Sequence, residues 1–213
     1  TPLYSSAASD VYKRQVLYCL QTLSDDLSTY QYRTLGRQSV PLIIRTRGHR
    51  LEGIWHSGSP MGGLLNFMRG INFLVPRNKT KAAGFYNSIK QTDEPALIVE
   101  PLNAYRVKEK MPKNLGEFCL PVGEIEIIKE GNDITIVSYG STLRIVSFVV
   151  DELEKIGINC ELIDLQTLIP FDQSKRIRES LSKTNRLLII DEDLPGGASS
   201  YILQELLKKQ DIY

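Results

Sequence analysis

The chain has 213 residues, with 26 basic side chains against 25 acidic ones and a formal net charge of +1. That balance excludes bulk attraction to nucleic acid or to an anionic membrane surface, and no apolar run approaches the roughly 18 residues a transmembrane helix needs. Hydrophobic and charged shares of 42% and 24% are those of an ordinary globular chain, and three widely spaced cysteines, Cys19, Cys119 and Cys160, argue against a disulfide framework or zinc site and fit a reducing cytoplasm.

Residues 1–15 contain "LYSSAASDVYKRQ", which has neither a helical nor a strand period. They read as a leader foreign to the fold, similar to a translated sequencing-adapter remnant. The first residue is Thr1, and "KKQDIY" closes the chain just after an apparent helix. The expectation is an internal fragment of a longer protein.

From Val16 the pattern becomes regular. Apolar residues at 16, 17, 20, 23, 27 and 30 predict one helix over 16–34. "VPLIIRT" (40–46) predicts a buried strand, and a loop follows from Arg47 to about Pro60. "MGGLLNFMRG" predicts a short helix ending at Gly70, "INFLVP" a strand closed by Pro76, "KTKAAGFYNSIKQ" a helix and "ALIVEP" a third strand. This alternation predicts an α/β unit with a mostly parallel sheet. Residues 101–120 carry prolines and lysines with little period, and read as a linker. "VGEIEIIKEG" alternates like a half-exposed strand.

A second series then begins. "DITIVSYG", "INCELIDL" and "RLLIIDED" predict strands. "STLRIVSFVVDELEKIG" predicts an amphipathic helix with Ser141 as N-cap and Gly157 closing it. "DQSKRIRESLSKT" predicts a helix capped by Asp172, and "GGASSYILQELLKK" a helix after a glycine turn.

The stretch with the most chemistry is "RLEGIWHSGSPMGG", Arg50 to Gly63. It sets one of two histidines, His56, beside the only tryptophan, Trp55, and continues through Ser57, Gly58 and Ser59. An imidazole can donate or accept a proton near neutral pH. Packing of His56 on Trp55, with its nitrogens bonded to the loop, is the competing reading. Ser57 and Ser59 suit side-chain to backbone bonds that orient such a loop. The glycine-serine-glycine elbow of a serine hydrolase is missing. "RTRGHR" groups Arg45, Arg47, His49 and Arg50, a set able to meet a carboxylate or simply to face solvent; without interleaved aromatics it does not point to nucleic acid.

Two blocks carry a family resemblance. "GIWHSGSPMGG…INFLVPRNKTKAAGFYNSIKQTDEPALIVEP" resembles the second half of the pyrimidine-binding domain in the β subunit of thiamine-diphosphate-dependent 2-oxoacid dehydrogenases (E1). "DITIVSYGSTLRIVSFVVDELEKIGINCELIDLQTLIPFD", continued by "RLLIIDEDLPGGASSYILQEL", resembles the C-terminal transketolase-type domain of that subunit. Together they cover 16–213. The resemblance implies a leader at 1–15, the end of a pyrimidine-binding domain at 16–100, a linker at 101–120 and an incomplete transketolase C-terminal domain at 121–213, both domains α/β.

The resemblance also implies a reaction: decarboxylation of a 2-oxo acid on thiamine diphosphate and acyl transfer to a lipoyl group on an E2 acyltransferase. An α part, separate or fused, would hold the diphosphate and Mg²⁺, and a second β copy would complete the assembly, in a bacterial cytoplasm. His56 is then the catalytic residue, supported by Trp55, Ser57, Gly58 and Ser59, with Arg47, His49 and Arg50 toward substrate or subunit. The family's activating glutamate and stacking aromatic fall upstream of the match. A structural monovalent cation, potassium, is expected near Ile89, Thr92 and Glu94. At "PGG" (195–197) an anion-holding turn and a plain strand-to-helix turn are both readable, the plain turn preferred. Rival expectations are another enzyme of the superfamily, such as a transketolase or a deoxyxylulose-phosphate synthase, and a non-catalytic α/β interaction domain.

Overall fold

A computed structural model describes residues 16–48 and 61–209. Two four-stranded sheets organise them. In the first, β1 (Ile43–Gly48), β2 (Asn72–Leu74) and β3 (Ala96–Pro101) run parallel, with β3 between the other two. β2 and β3 are buried at every position, as their unbroken apolar runs require.

The helix expected over 16–34 is not continuous. It passes through a π turn at Thr22–Leu27 and ends in a single turn, α1 (Tyr30–Arg33). The Ser28 amide reaches back five residues to the Leu23 carbonyl, at 3.0 Å, and the Ser28 hydroxyl donates to the same oxygen at 2.7 Å. Thr29 donates its hydroxyl to the Asp25 carbonyl. Serine and threonine here compete with the regular ladder, which apolar spacing alone does not reveal.

Between β1 and β2 lies α2 (Met61–Phe67), and between β2 and β3 lies α3 (Lys79–Ile89). Asn78 caps α3 by accepting the Lys81 amide at 2.9 Å. A 3₁₀ segment, Leu102–Arg106, follows β3. The stretch after it runs over α3. There Asn87 donates to the carbonyls of Leu115 and Phe118, and Glu109 accepts the amides of Lys79 and Thr80.

The second sheet is ordered β4, β6, β5, β8. β5 (Ile134–Ser138) runs parallel to β6 (Cys160–Asp164) and β8 (Leu187–Ile189), and β4 (Glu126–Lys129) lies antiparallel on β6. The helices of this half are α4 (Thr142–Lys155), α5 (Arg176–Thr184) and α6 (Ala198–Lys209). Gly157 ends α4 as expected: its φ of 85° suits a residue without Cβ, and its amide returns to the Glu154 carbonyl. Ser141 takes the N-cap position of α4 without the expected side-chain cap bond. Lys175, not Asp172, takes the N-cap position of α5, but Asp172 supplies the side-chain acceptor from three residues upstream, taking the amides of Arg176 and Ile177 at 3.1 and 2.9 Å. Buried Thr135 on β5 ties α5 to the sheet through the hydroxyls of Ser180 and Thr184, at 2.6 and 2.7 Å.

One strand belongs to the second half by sequence and to the first by pairing. β7 (Thr167–Ile169) lies antiparallel on β2, with Phe73 opposite Ile169 and Leu74 opposite Thr167. The turn that sends it there passes through Gln166 at φ 56°, whose amide donates to Asp164. The largest of three buried apolar clusters spans both halves: Phe73, Val75 and Val99 pack with Val137, Ile163 and Leu168. At about 1.5–3 kcal/mol for each large apolar side chain buried, this shared core outweighs any single polar contact between the halves.

Candidate functional site

Parallel strands bring their C-terminal ends to one edge, where open α/β sheets place ligands. In the first sheet that edge carries Gly48, Leu74 and Pro101. The chain leaves it after β1 and returns at the start of α2. His49, Arg50, Trp55, His56, Ser57, Gly58 and Ser59 make this connection and lie outside the described residues. Arg47, half-buried near the end of β1, stands opposite Glu100 in register.

Ile89, Thr92 and Glu94 sit at the other edge, where α3 ends and β3 begins. The structure therefore does not bring them together with Arg47. The Ile89 carbonyl accepts both the amide and the hydroxyl of Thr92, each at 3.0 Å, and Glu94 accepts from Asn72 at 2.9 Å.

The return point of the 49–60 connection is fixed by the second half. Asp193 accepts the Gly62 amide of α2 at 2.7 Å and the Ala198 amide of α6 at 3.1 Å. Asp191 accepts the Tyr139 hydroxyl at 2.5 Å and the Ser199 amide at 3.2 Å. One acidic turn thus holds the N-termini of two helices, whose positive ends favour it. Burial drives Tyr139 well above its ordinary pKa, with the charge and hydrogen bond of Asp191 adding to the shift. Burial also raises Asp191, against the Tyr139 hydrogen bond.

The helix ends meet closely. A Cβ on Gly62 would lie 2.5 Å from the Gly197 Cα, and one on Gly197 would lie 2.1 Å from the Asp193 carboxylate. The Ala198 and Ser199 amides after "PGG" are taken by the chain's own carboxylates, as the plain-turn reading expects. The sequence reading missed Asp191 and Asp193 by extending a strand through "IIDED". The signal was present, since acidic residues stand just before a glycine turn and a helix.

A second polar group joins the two halves. Arg77, just past β2, donates to Asp164 at the end of β6, at 2.7 Å, and to Glu126 on β4, which also pairs with Lys81 at 2.7 Å. Asp164 is fully buried. Burial pushes its carboxyl up to about 6, and the Arg77 charge and hydrogen bond hold it from rising further. Burial raises Glu126 as well, but hydrogen bonds from Arg77 and Lys81 outweigh it and leave the group below its ordinary value. Arg77, Asn78, Asn103, Gly140 and Arg144 border a cleft of about 330 Å³ between the halves. Among the described residues no group of three or more His, Cys, Asp or Glu side chains is placed to hold a metal, and no helix is long and apolar enough to cross a membrane.

Residues 123–212 match the family described as "Transketolase, C-terminal domain". The chain is 26% identical over 185 residues to a 2-oxoisovalerate dehydrogenase subunit beta of Bacillus subtilis (strain 168), covering 86% of this chain and 56% of the relative. It is 35% identical over 159 residues to the mitochondrial 2-oxoisovalerate dehydrogenase subunit beta 2 of Arabidopsis thaliana, covering 74% of this chain and 43% of the relative. A pyruvate dehydrogenase E1 component subunit beta of Acholeplasma laidlawii is 29% identical over 162 residues, 75% of this chain and 49% of the relative. The chain spans about half the length of these curated relatives. Among solved structures, one described as "Split gene transketolase, inactive beta4 tetramer" shares the fold, with a TM-score of 0.62 at 20% identity over 86% of this chain and 60% of that one.

Proposed function

We propose that this chain, a member of the transketolase superfamily related to dehydrogenase β subunits, serves in the β part of a thiamine-diphosphate-dependent 2-oxoacid dehydrogenase E1 component. The whole enzyme would decarboxylate a 2-oxo acid and acylate the lipoyl group of an E2 acyltransferase. Its α part, separate or fused, and a second β copy would complete the assembly. The observation that carries the reading is the path of the chain. "IWHSGSP" joins the C-terminal end of a parallel strand to a helix whose first turn is pinned by Asp193.

The described residues offer no carboxylate cluster for Mg²⁺. The diphosphate end of the cofactor therefore does not fit them and is assigned to the α part. The chemistry assigned to this chain is proton transfer. As the carbon left electron-rich by decarboxylation bonds to one dithiolane sulfur and the S–S bond breaks, the His56 imidazolium would donate a proton to the other, leaving sulfur, and an unperturbed imidazole titrates in the right range for that task. In this reading Ser57 and Ser59 would orient the ring's loop, and Arg47, His49 and Arg50 would serve the substrate carboxylate or the α part. A potassium ion near Ile89, Thr92 and Glu94 would have to replace the two bonds that Thr92 makes to the Ile89 carbonyl.

The test is reconstitution of the full-length gene product with its α part. The rate of 2-oxo acid oxidation is measured with an artificial acceptor and, separately, with lipoylated E2. His56→Ala should lower lipoyl acylation by roughly a hundredfold or more and leave thermal unfolding unchanged. Equal loss of cofactor affinity and acylation would overturn the proton-transfer role. Ketol transfer between sugars in place of 2-oxo acid oxidation would point to a transketolase. Activity that is absent from both the wild type and the variant would favour an interaction domain.

A further inference from the structure

A second cleft opens beside β1, β3 and α3, with a volume of about 350 Å³. Its floor is a fixed polar group. Buried Glu100 accepts the Tyr86 hydroxyl at 2.5 Å, the Arg45 Nε at 2.9 Å, and the Tyr105 hydroxyl. Arg45 also donates through Nη2 to the Tyr105 oxygen at 3.3 Å. Three donors take up most of the roughly four lone-pair sites of this carboxylate, so it offers a guest little acceptor capacity.

The cations are differently placed. The Arg45 side chain is 59% exposed although one edge is bonded. Burial opposes its charge, but the hydrogen bonds to Tyr105 and Glu100 outweigh it, so the guanidinium stays charged at any working pH. Lys79 lines the same cleft, and its ammonium bonds a neutral group, the Val107 carbonyl, at 2.7 Å. The described lining therefore sets two cations against one carboxylate that is already bonded to three donors. The other walls are short and apolar, from Pro76, Ala82, Ala83, Pro101 and Ala104.

We propose that this cleft binds a small aliphatic carboxylate, its oxygens on Arg45 and Lys79 and its chain against Pro76, Ala82, Ala83 and Pro101. A fixed guanidinium edge suits the two oxygens of a carboxylate. Two consecutive alanines on α3 leave room that larger side chains would fill. The inference does not rest on the reading of His56, because it involves neither that residue nor any cofactor.

The experiment is calorimetric titration of the full chain with 4-methylpentanoate, with 4-methylpentanamide and inorganic phosphate as separate probes. One saturable site is expected, with a dissociation constant on the order of 1 mM or tighter. The uncharged amide and phosphate should each bind roughly tenfold more weakly, the first for want of charge and the second for want of a chain. Arg45→Gln and Lys79→Gln should each weaken the carboxylate by a similar factor, and Ala83→Leu should abolish binding while the protein still melts cooperatively. No saturable binding would overturn the site. Amide binding equal to the acid would overturn the role of the cations, and phosphate binding equal to the acid would overturn the apolar wall. The amide and phosphate arms need no variant, so a misfolded substitution cannot rescue the proposal.

Discussion

The two sheets share a topology at their C-terminal edges and use it differently. In the second sheet the edge is closed by the chain's own groups after β6 and β8, while Gly140 and Arg144, past β5, border the cleft between the halves. Asp164 at the end of β6 is taken by Arg77, and the aspartates after β8 are taken by helix amides and Tyr139. In the first sheet the same edge is left open, with a cleft on each side of the Leu102–Arg106 segment and the His56 connection leaving from β1. An edge of converging strand ends is thus an opportunity for binding that a fold can spend on its own cohesion. Which use is made depends on whether side chains within reach already satisfy the groups exposed there.

The sharpest way to break this contrast is to unseal the closed edge. Arg77→Met would leave Asp164 buried without its cation, and a loss of about 3 kcal/mol at pH 8 is expected by denaturant melting. The loss should shrink as the pH falls, because Asp164 can then neutralise itself. The sign follows from its raised carboxyl. With a folded value of about 6 against an ordinary 3.8, the folded state holds the proton more tightly than the unfolded chain. The Asp164 contribution to stability is therefore greatest at low pH and declines as pH rises through that window, on the order of 1 kcal/mol per unit. In Arg77→Met the carboxyl should titrate higher still, which carbon NMR of the aspartate would read. A flat pH profile in the wild type, or an unmoved Asp164 signal in the variant, would contradict the account.

A smaller effect is expected from Asp193→Ala, which strips the acceptor from the Gly62 and Ala198 amides together. A loss of about 2 kcal/mol is expected in thermal or denaturant melts, with hydrogen exchange rising at the first turns of α2 and α6 together. Exchange confined to one helix would mean that the aspartate does not couple them. The smallest effect belongs to the open edge. Lys79→Gln should change stability by no more than about 0.5 kcal/mol, because among the described residues its ammonium meets a neutral carbonyl. A larger loss would show that this edge too is spent on cohesion.

Much of the framework was legible from the residues, and the reasons are local. Asp172 before α5 and Gly157 after α4 are short-range devices, and "ALIVEP" is a fully buried strand with the same bounds in the structure. What escaped depends on partners far along the chain. β7 is only three residues, too short for a period, and its pairing is chosen by β2 some 90 residues earlier. The roles of Asp191 and Asp193 exist only because α2 is brought against α6. The acidic tail of "RLLIIDED" reads as strand until that contact is known. The family resemblance foresaw the match of 123–212 to the transketolase C-terminal domain and the E1 β relatives. It did not point to the Arg45, Tyr86 and Tyr105 group around Glu100, whose members lie on three separate elements.

The crossing of β7 into the first sheet has a practical corollary for anyone dissecting this protein. Severing the backbone within 101–120 would give two polypeptides that still hold each other through a shared sheet and a shared core, so a proteolytic nick there should leave a single sedimenting particle. Producing only the upstream piece would instead bare one side of β2, a short apolar ribbon in want of a neighbour, and self-association is the expected fate of such an orphan.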